Sequence, residues 1–82
     1  MKLADFTNLP THQDQLDALY FRGDVLANRY EVDDAIFLLY SLGDFYVELR
    51  YDACKNTLLA VDPFRDLDRL EPYLPYLEAE FA

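Results

Sequence analysis

The sequence predicts an α+β fold: an N-terminal helix, a four-stranded antiparallel meander and a C-terminal helix, in that order. Three stretches predict it. Ala35 to Asp52, AIFLLYSLGDFYVELRYD, contains two strand-like runs folded back at Gly43 and Asp44. Before it, a short apolar stripe lies between helix capping signals, and after it the tail carries a one-sided stripe at helical spacing.

Residues 1 to 10, MKLADFTNLP, offer Leu3, Phe6 and Leu9 as anchors without a sustained period, so they are expected to form an arm that packs along the domain or stays partly mobile. Pro10 precedes a helix start. Thr11 is placed to cap it, with Asp14 favourable at the positive N-terminal end. Leu16, Leu19 and Tyr20 follow at i, i+3, i+4, and Arg22 with Gly23 marks the end, so a helix is expected over about residues 12 to 22.

The next segment admits two readings. Leu26, Ala27 and Tyr30 would extend the helical stripe if Gly23 were an interior residue, leaving a longer first helix and a three-stranded sheet. A glycine inside a helix costs about 1 kcal/mol relative to alanine, and Val25 and Tyr30 favour strands. A first strand from Val25 to Glu31 is therefore expected, joined to Ala35 by Val32, Asp33 and Asp34.

The central hairpin has a defined register. Glycine can adopt the positive φ that a two-residue primed turn needs, and a Gly43-Asp44 loop pairs Leu42 with Phe45, Tyr40 with Val47, Leu38 with Leu49 and Ile36 with Tyr51. These residues share one face. The other face pairs Ser41 with Tyr46, Leu39 with Glu48, Phe37 with Arg50 and Ala35 with Asp52. A one-residue slip would set Glu48 and Arg50 against Leu42, Tyr40 and Leu38. The second strand alternates, as expected where one face is solvated, whereas the first is apolar throughout except for Ser41, as expected of a strand covered on both faces.

After the polar break DACKNT, a three-residue loop from Cys54 to Asn56, closed by a bulge at Asn56, is expected to pair Tyr51 with Leu59 and Leu49 with Val61. A four-residue loop would turn Asp62 toward the core. The last strand is expected over Thr57 to Asp62, with Pro63 marking its end or an edge position. In the tail, Leu67, Leu70, Leu74, Leu77 and Phe81 form the stripe. A helix begun at Leu67 would hold Pro75 in its interior at a cost of about 3 kcal/mol. The expectation is instead one turn capped by Asp66, then a helix over about residues 72 to 81 with both prolines in its first turn.

No linker or internal repeat divides the 82 residues, which are read as one domain. A chain this short buries only about 60 to 65% of its unfolded surface, so burial against a partner would stabilise it. Sixteen acidic against seven basic residues give a net charge of −9, which sets the protein against phosphate backbones and anionic lipid. Nucleic acid and membrane are not expected partners. Cys54 is the single cysteine, and neither a leader pattern nor a spanning apolar run is present, so cytoplasmic residence is expected.

No motif assigns chemistry, and no catalytic, cofactor-binding or metal-ligating residue is expected. Arg22, Gly23 and Asp24 spell RGD, but nothing else points outside the cell. Asp24, Glu31, Asp33 and Asp34 are hard-cation ligand types without the spacing of a calcium loop. His12 and Cys54 stand on different elements, and a Cys-His pair would have to form across the fold. Glu48 and Arg50 beside Tyr46 and Phe37 are compatible with base stacking, which the net charge opposes.

The feature that points to function is apolar. Phe37, Leu39, Tyr46, Leu58 and Phe64 are assigned to the face away from the main core, and a patch of that size rarely stays exposed on a soluble monomer. Either one helix covers each face of the sheet, or this face is an interface. The expected function is protein association without catalysis, with itself as a homodimer or with another protein, through this outer sheet face and the terminal helix. Two alternatives stand beside it: a ligand-binding or enzymatic domain with an aromatic cleft between helix and sheet, and an acidic inhibitor occupying a basic partner's site.

Overall fold

The computed structural model describes residues 1–31 and 34–74. In chain order the elements are α1 (Leu3–Thr7), α2 (His12–Arg22), β1 (Asp24–Tyr30), β2 (Ala35–Leu42), β3 (Phe45–Asp52), β4 (Thr57–Phe64) and a 3-10 helix (Leu67–Tyr73). The strands form a four-stranded antiparallel meander in the order β1-β2-β3-β4. Among the described residues no helix is long and apolar enough to cross a membrane.

The β2–β3 ladder has the register that the Gly43-Asp44 turn demands, from Leu42 opposite Phe45 to Ala35 opposite Asp52. Gly43 takes φ 63°, and Asp44 does not share a positive φ, the arrangement of a hairpin turn with glycine in its first central position. A Cβ on Gly43 would stand 2.7 Å from the Met1 carbonyl oxygen, so the N-terminal segment folds over the tip of the hairpin. Arg65, just past β4, donates to Asp44 Oδ2 at 2.5 Å and holds that carboxyl below the usual carboxylate range.

Residues 1 to 10 pack along the domain through the expected anchors Leu3, Phe6 and Leu9, and part of them is helical, which the pattern did not predict. Leu3–Thr7 form a short helix whose Phe6 is fully buried and meets Phe45 with ring centroids 5.7 Å apart. Helices this short do not persist on propensity, so the burial of Phe6 sustains α1. Helix α2 begins as expected, with Thr11 Oγ1 accepting from the Asp14 backbone N–H. Leu16 and Leu19 face the sheet, whereas Tyr20 is exposed and reaches only the Tyr51 hydroxyl, at 3.5 Å.

Gly23 ends α2, but not by a left-handed turn: its backbone is extended, with φ −89° and ψ 161°. A Cβ there would lie 2.8 Å from the Leu19 carbonyl oxygen and 3.3 Å from that of Ser41. The chain passes directly from helix into β1, and the longer-helix alternative is excluded. A bulge between Val25 and Ala27 then shifts β1 by one residue against β2.

The β3–β4 connection differs from the expected one. The loop has four residues, since Asp52 pairs with Thr57 and Tyr51 with Leu58, and a bulge at Leu59 restores Leu49 opposite Val61. The bulge lets a four-residue loop coexist with Val61 facing inward. Asn56 takes φ 53°, as a turn residue there should, and Pro63 lies within β4, an edge strand. Asp66 caps the following turn by accepting from the Asp68 N–H, but Leu67–Tyr73 is a 3-10 helix with Pro72 inside it. Most of the helix expected over residues 72 to 81 lies outside the described residues.

Two cores result. Against the helices, Phe6 and Leu19 pack with Tyr40, Leu42, Phe45, Val47 and Leu49. On the opposite face Ala27, Leu39, Phe64 and Tyr73 form a second buried cluster. Because the Gly23 Cβ position is closed by backbone, Gly23→Ala is expected to cost about 1–3 kcal/mol, read as a lower urea midpoint. An unchanged midpoint would show that the α2–β1 junction relaxes freely.

Candidate interaction surface

The outer sheet face is largely occupied by the chain itself. Leu39 is fully buried and Phe64 nearly so, while Phe37 and Tyr46 are half-buried beside them. The cover is the 3-10 helix, through Leu70 and the fully buried Tyr73. Leu67, Leu70 and Tyr73 recur every three residues and share one side of that helix, yet of the expected leucine stripe only Leu70 packs on the sheet, beside Tyr73, while Leu67 and Leu74 are exposed. Leu58 belongs to the other face, half-buried against the helix-side core, because the bulge at Leu59 reverses its direction. Of the five residues assigned to an outer patch, two are interior, two are half-covered and one faces the opposite way.

Charged groups close this second core. The Arg29 guanidinium lies 4.1 Å from the Phe37 ring centroid and 5.0 Å from that of Tyr73, Arg50 lies 5.6 Å from Phe37, and Arg69 lies 4.3 Å from Phe64. Tyr46 stacks on Phe64 at 5.7 Å. Tyr73 donates its hydroxyl proton to Glu48 Oε2 at 2.6 Å, Arg29 pairs with Glu31 and lies 3.7 Å from Glu48, and Arg69 pairs with Asp62. The groups named for base stacking are therefore engaged within the chain: Tyr46 on Phe64, Phe37 under Arg29 and Arg50, and Glu48 with Tyr73 and Arg29.

A cleft of about 560 Å³ opens beside this network, lined by Arg29, Glu48, Asp68, Arg69, Glu71 and Pro72. Its walls are charged rather than aromatic, and its arginines already face carboxylates. Burial, helped by the Glu48 carboxylate, holds the Tyr73 phenol well above the ordinary 10.0, which makes it a poor proton donor to a substrate near neutral pH.

The remaining candidates stay apart. Asp24 pairs with Ser41 at one end of β1, whereas Glu31 and Asp34 lie beyond its other end, so the carboxylates do not converge; Asp33 lies outside the described residues. Among the described residues no group of three or more His, Cys, Asp or Glu side chains is placed to hold a metal ion. The Cys54 thiol donates to Asp34 Oδ2 at 3.2 Å, which pushes its pKa up and away from thiolate reactivity. His12 opens α2, on a different element from Cys54.

The most exposed large ring is on α2. Phe21 is 87% exposed, and it borders a groove of about 550 Å³ lined by Met1, Leu9, Pro10, Ala18 and Phe21, with Asp14, Asp17 and Arg22 also on its walls. Asp14, Asp17, Ala18, Phe21 and Arg22 follow the i, i+3, i+4, i+7, i+8 spacing of one helix stripe. This second stripe is present in the sequence; Ala18, at its inner edge, is half-buried against the helix-side core beside Leu16, and only the fold shows that Phe21 is left exposed. Comparisons with protein-family models, with curated proteins and with solved structures found no match for this chain.

Two outcomes are expected. Leu39→Ala should destabilise by about 2–5 kcal/mol and Leu39→Asp should unfold the protein, whereas Phe21→Ala should leave the urea midpoint nearly unchanged. A folded Leu39→Asp monomer would return that face to the surface. The second concerns pH. Tyr73 and Tyr51 are raised above the ordinary 10.0, Tyr51 to about 12, chiefly by burial, so the folded state holds these protons more tightly than the unfolded chain. Their stabilisation is complete below pH 10 and is lost as pH rises toward and beyond 12. Urea midpoints followed upward from pH 10 should fall, and fall less steeply in Tyr73→Phe; parallel slopes would mean that Tyr73 titrates alike in both states.

Proposed function

We propose that the protein is a small acidic, non-enzymatic domain that acts inside the cell by association with another polypeptide, and that the associating surface is α2 with the N-terminal segment rather than the outer sheet face. The exposure of Phe21 beside an apolar groove carries this reading. A phenylalanine left in water forgoes about 1.5–3 kcal/mol of burial, and the same chain covers Phe6, Phe45 and Phe64. A protruding ring next to an apolar concavity is a surface prepared for a partner.

The outer face supports this reading less well, since the aromatic cluster there is closed by Arg29, Arg69 and Tyr73. Cys54 as a lone exposed thiol fits a reducing compartment.

Size-exclusion of a tagged chain in extract of its source cell is the test. Wild type should elute well above its 9.6 kDa mass, and Phe21→Asp should elute as a monomer with an unchanged urea midpoint. Wild type eluting at monomer mass, both in extract and alone, would overturn the reading.

A further inference from the structure

We propose that the occupant of this surface is a second copy of the chain, docked by antiparallel packing of α2 on α2 about a two-fold axis at Ala18. The inference rests on the association reading above and names its partner. Its basis is the order of charge along the outward stripe. Asp14 stands four residues before Ala18 and Arg22 four residues after it, so this acid and this cation are placed symmetrically about a small side chain, whereas Asp17, the other acid of the stripe, has no cation at the mirrored position and accepts from Gln13 Nε2 at 2.9 Å within its own helix. At 1.5 Å per residue each lies about 6 Å along the axis from Ala18. Turning one helix antiparallel about Ala18 brings Asp14 of each copy to Arg22 of the other, forming two reciprocal pairs.

The groups available for those pairs fit this role. Arg22 makes no ion pair among the described residues, whose cation–carboxylate pairs involve Arg29, Arg65 and Arg69. Among the described residues Asp14 has one side-chain donor, the Thr11 hydroxyl, so its carboxylate retains capacity for a guanidinium. The antiparallel arrangement also sets the positive N-terminal end of each helix beside the negative C-terminal end of the other.

The apolar fit follows the same symmetry. A knob and a hole on one surface are what an isologous dimer needs, because each copy supplies both. Phe21 is the knob, and the groove floored by Ala18 and walled by Met1, Leu9 and Pro10 is the hole. Ala18 at the crossing lets the helix axes approach to the short end of the usual 8–10 Å range. Each copy carries −9, yet at physiological salt charges more than about 8 Å apart are largely screened. The contact pairs and the apolar fit therefore decide the outcome.

Sedimentation equilibrium of the purified full chain across a dilution series tests this, and it is separate from the extract experiment. A mass near twice 9.6 kDa that falls on dilution is expected, with Phe21→Asp monomeric throughout. Arg22→Asp and Asp14→Arg should each weaken the dimer by about tenfold, and the double swap, which rebuilds both pairs with reversed polarity, should recover most of that loss. Because Asp14→Arg also disturbs the helix start, a second variant reads the axis directly. Ala18→Cys in a Cys54→Ser background should oxidise to a covalent dimer, whereas Thr57→Cys in the same background should not. A purified chain that is monomeric at every concentration would overturn the second-copy proposal while a Phe21-dependent complex in extract left the association reading standing. A dimer that survives Phe21→Asp would overturn α2 as the contact.

Discussion

The β2–β3 ladder decides the direction of every side chain in the centre of the sheet, and with it the covering that the rest of the chain must supply. Once Leu42 stands opposite Phe45, Leu38, Tyr40, Val47 and Leu49 face one way while Leu39 and Phe37 face the other. Both faces of β2 are then apolar, and a strand of this kind is stable only between two layers. Helices α1 and α2 form one layer and the 3-10 helix forms the other. The bulges in β1 and β4 keep the outer strands in phase with this ladder, which is why Val61 faces inward despite a four-residue loop.

The second layer is thin, and aromatic and charged groups together make it sufficient. A single buried ring, Tyr73, and the half-buried Leu70 supply the apolar cover, while Arg29 and Arg69 lay their guanidinium planes over Phe37, Tyr73 and Phe64. The arginines keep solvent contact while their stems and planes shield the rings. Glu48 accepts from Tyr73 and faces Arg29, so the buried phenol keeps a partner and the carboxylate keeps a counter-charge. Groups that on sequence grounds were available for stacking or acid–base work are used in holding the fold.

Helix α2 has two assignments on opposite sides. Its inward stripe, Leu16 and Leu19, joins the main core, and its outward stripe carries Phe21 between charges of opposite sign. A short chain has few elements with which to bury its own apolar surface, and Tyr20, Phe21 and Tyr30 are left exposed, Phe21 the most so at 87%. Of these rings, Phe21 is the one that borders an apolar groove, and the proposed association rests on it.

The register of the central hairpin, the start of α2 at Thr11, the four-strand meander and the edge position of Pro63 were legible in the amino-acid sequence. Each follows from local physics: period-two alternation, a glycine able to adopt positive φ, a hydroxyl able to cap an N–H, and an imide that cannot donate to a ladder. The helical form of α1, the direction of Leu58, the 3-10 form of residues 67–73 and the identity of the segment that covers Leu39 were not. These depend on which distant segment reaches a given face: Phe45 sustains α1, the bulge at Leu59 turns Leu58, and Tyr73 closes over Leu39. Alternation states that a side chain needs cover but not what supplies it, and so the tertiary structure alone decided that the outer face is closed and that Phe21 is left open.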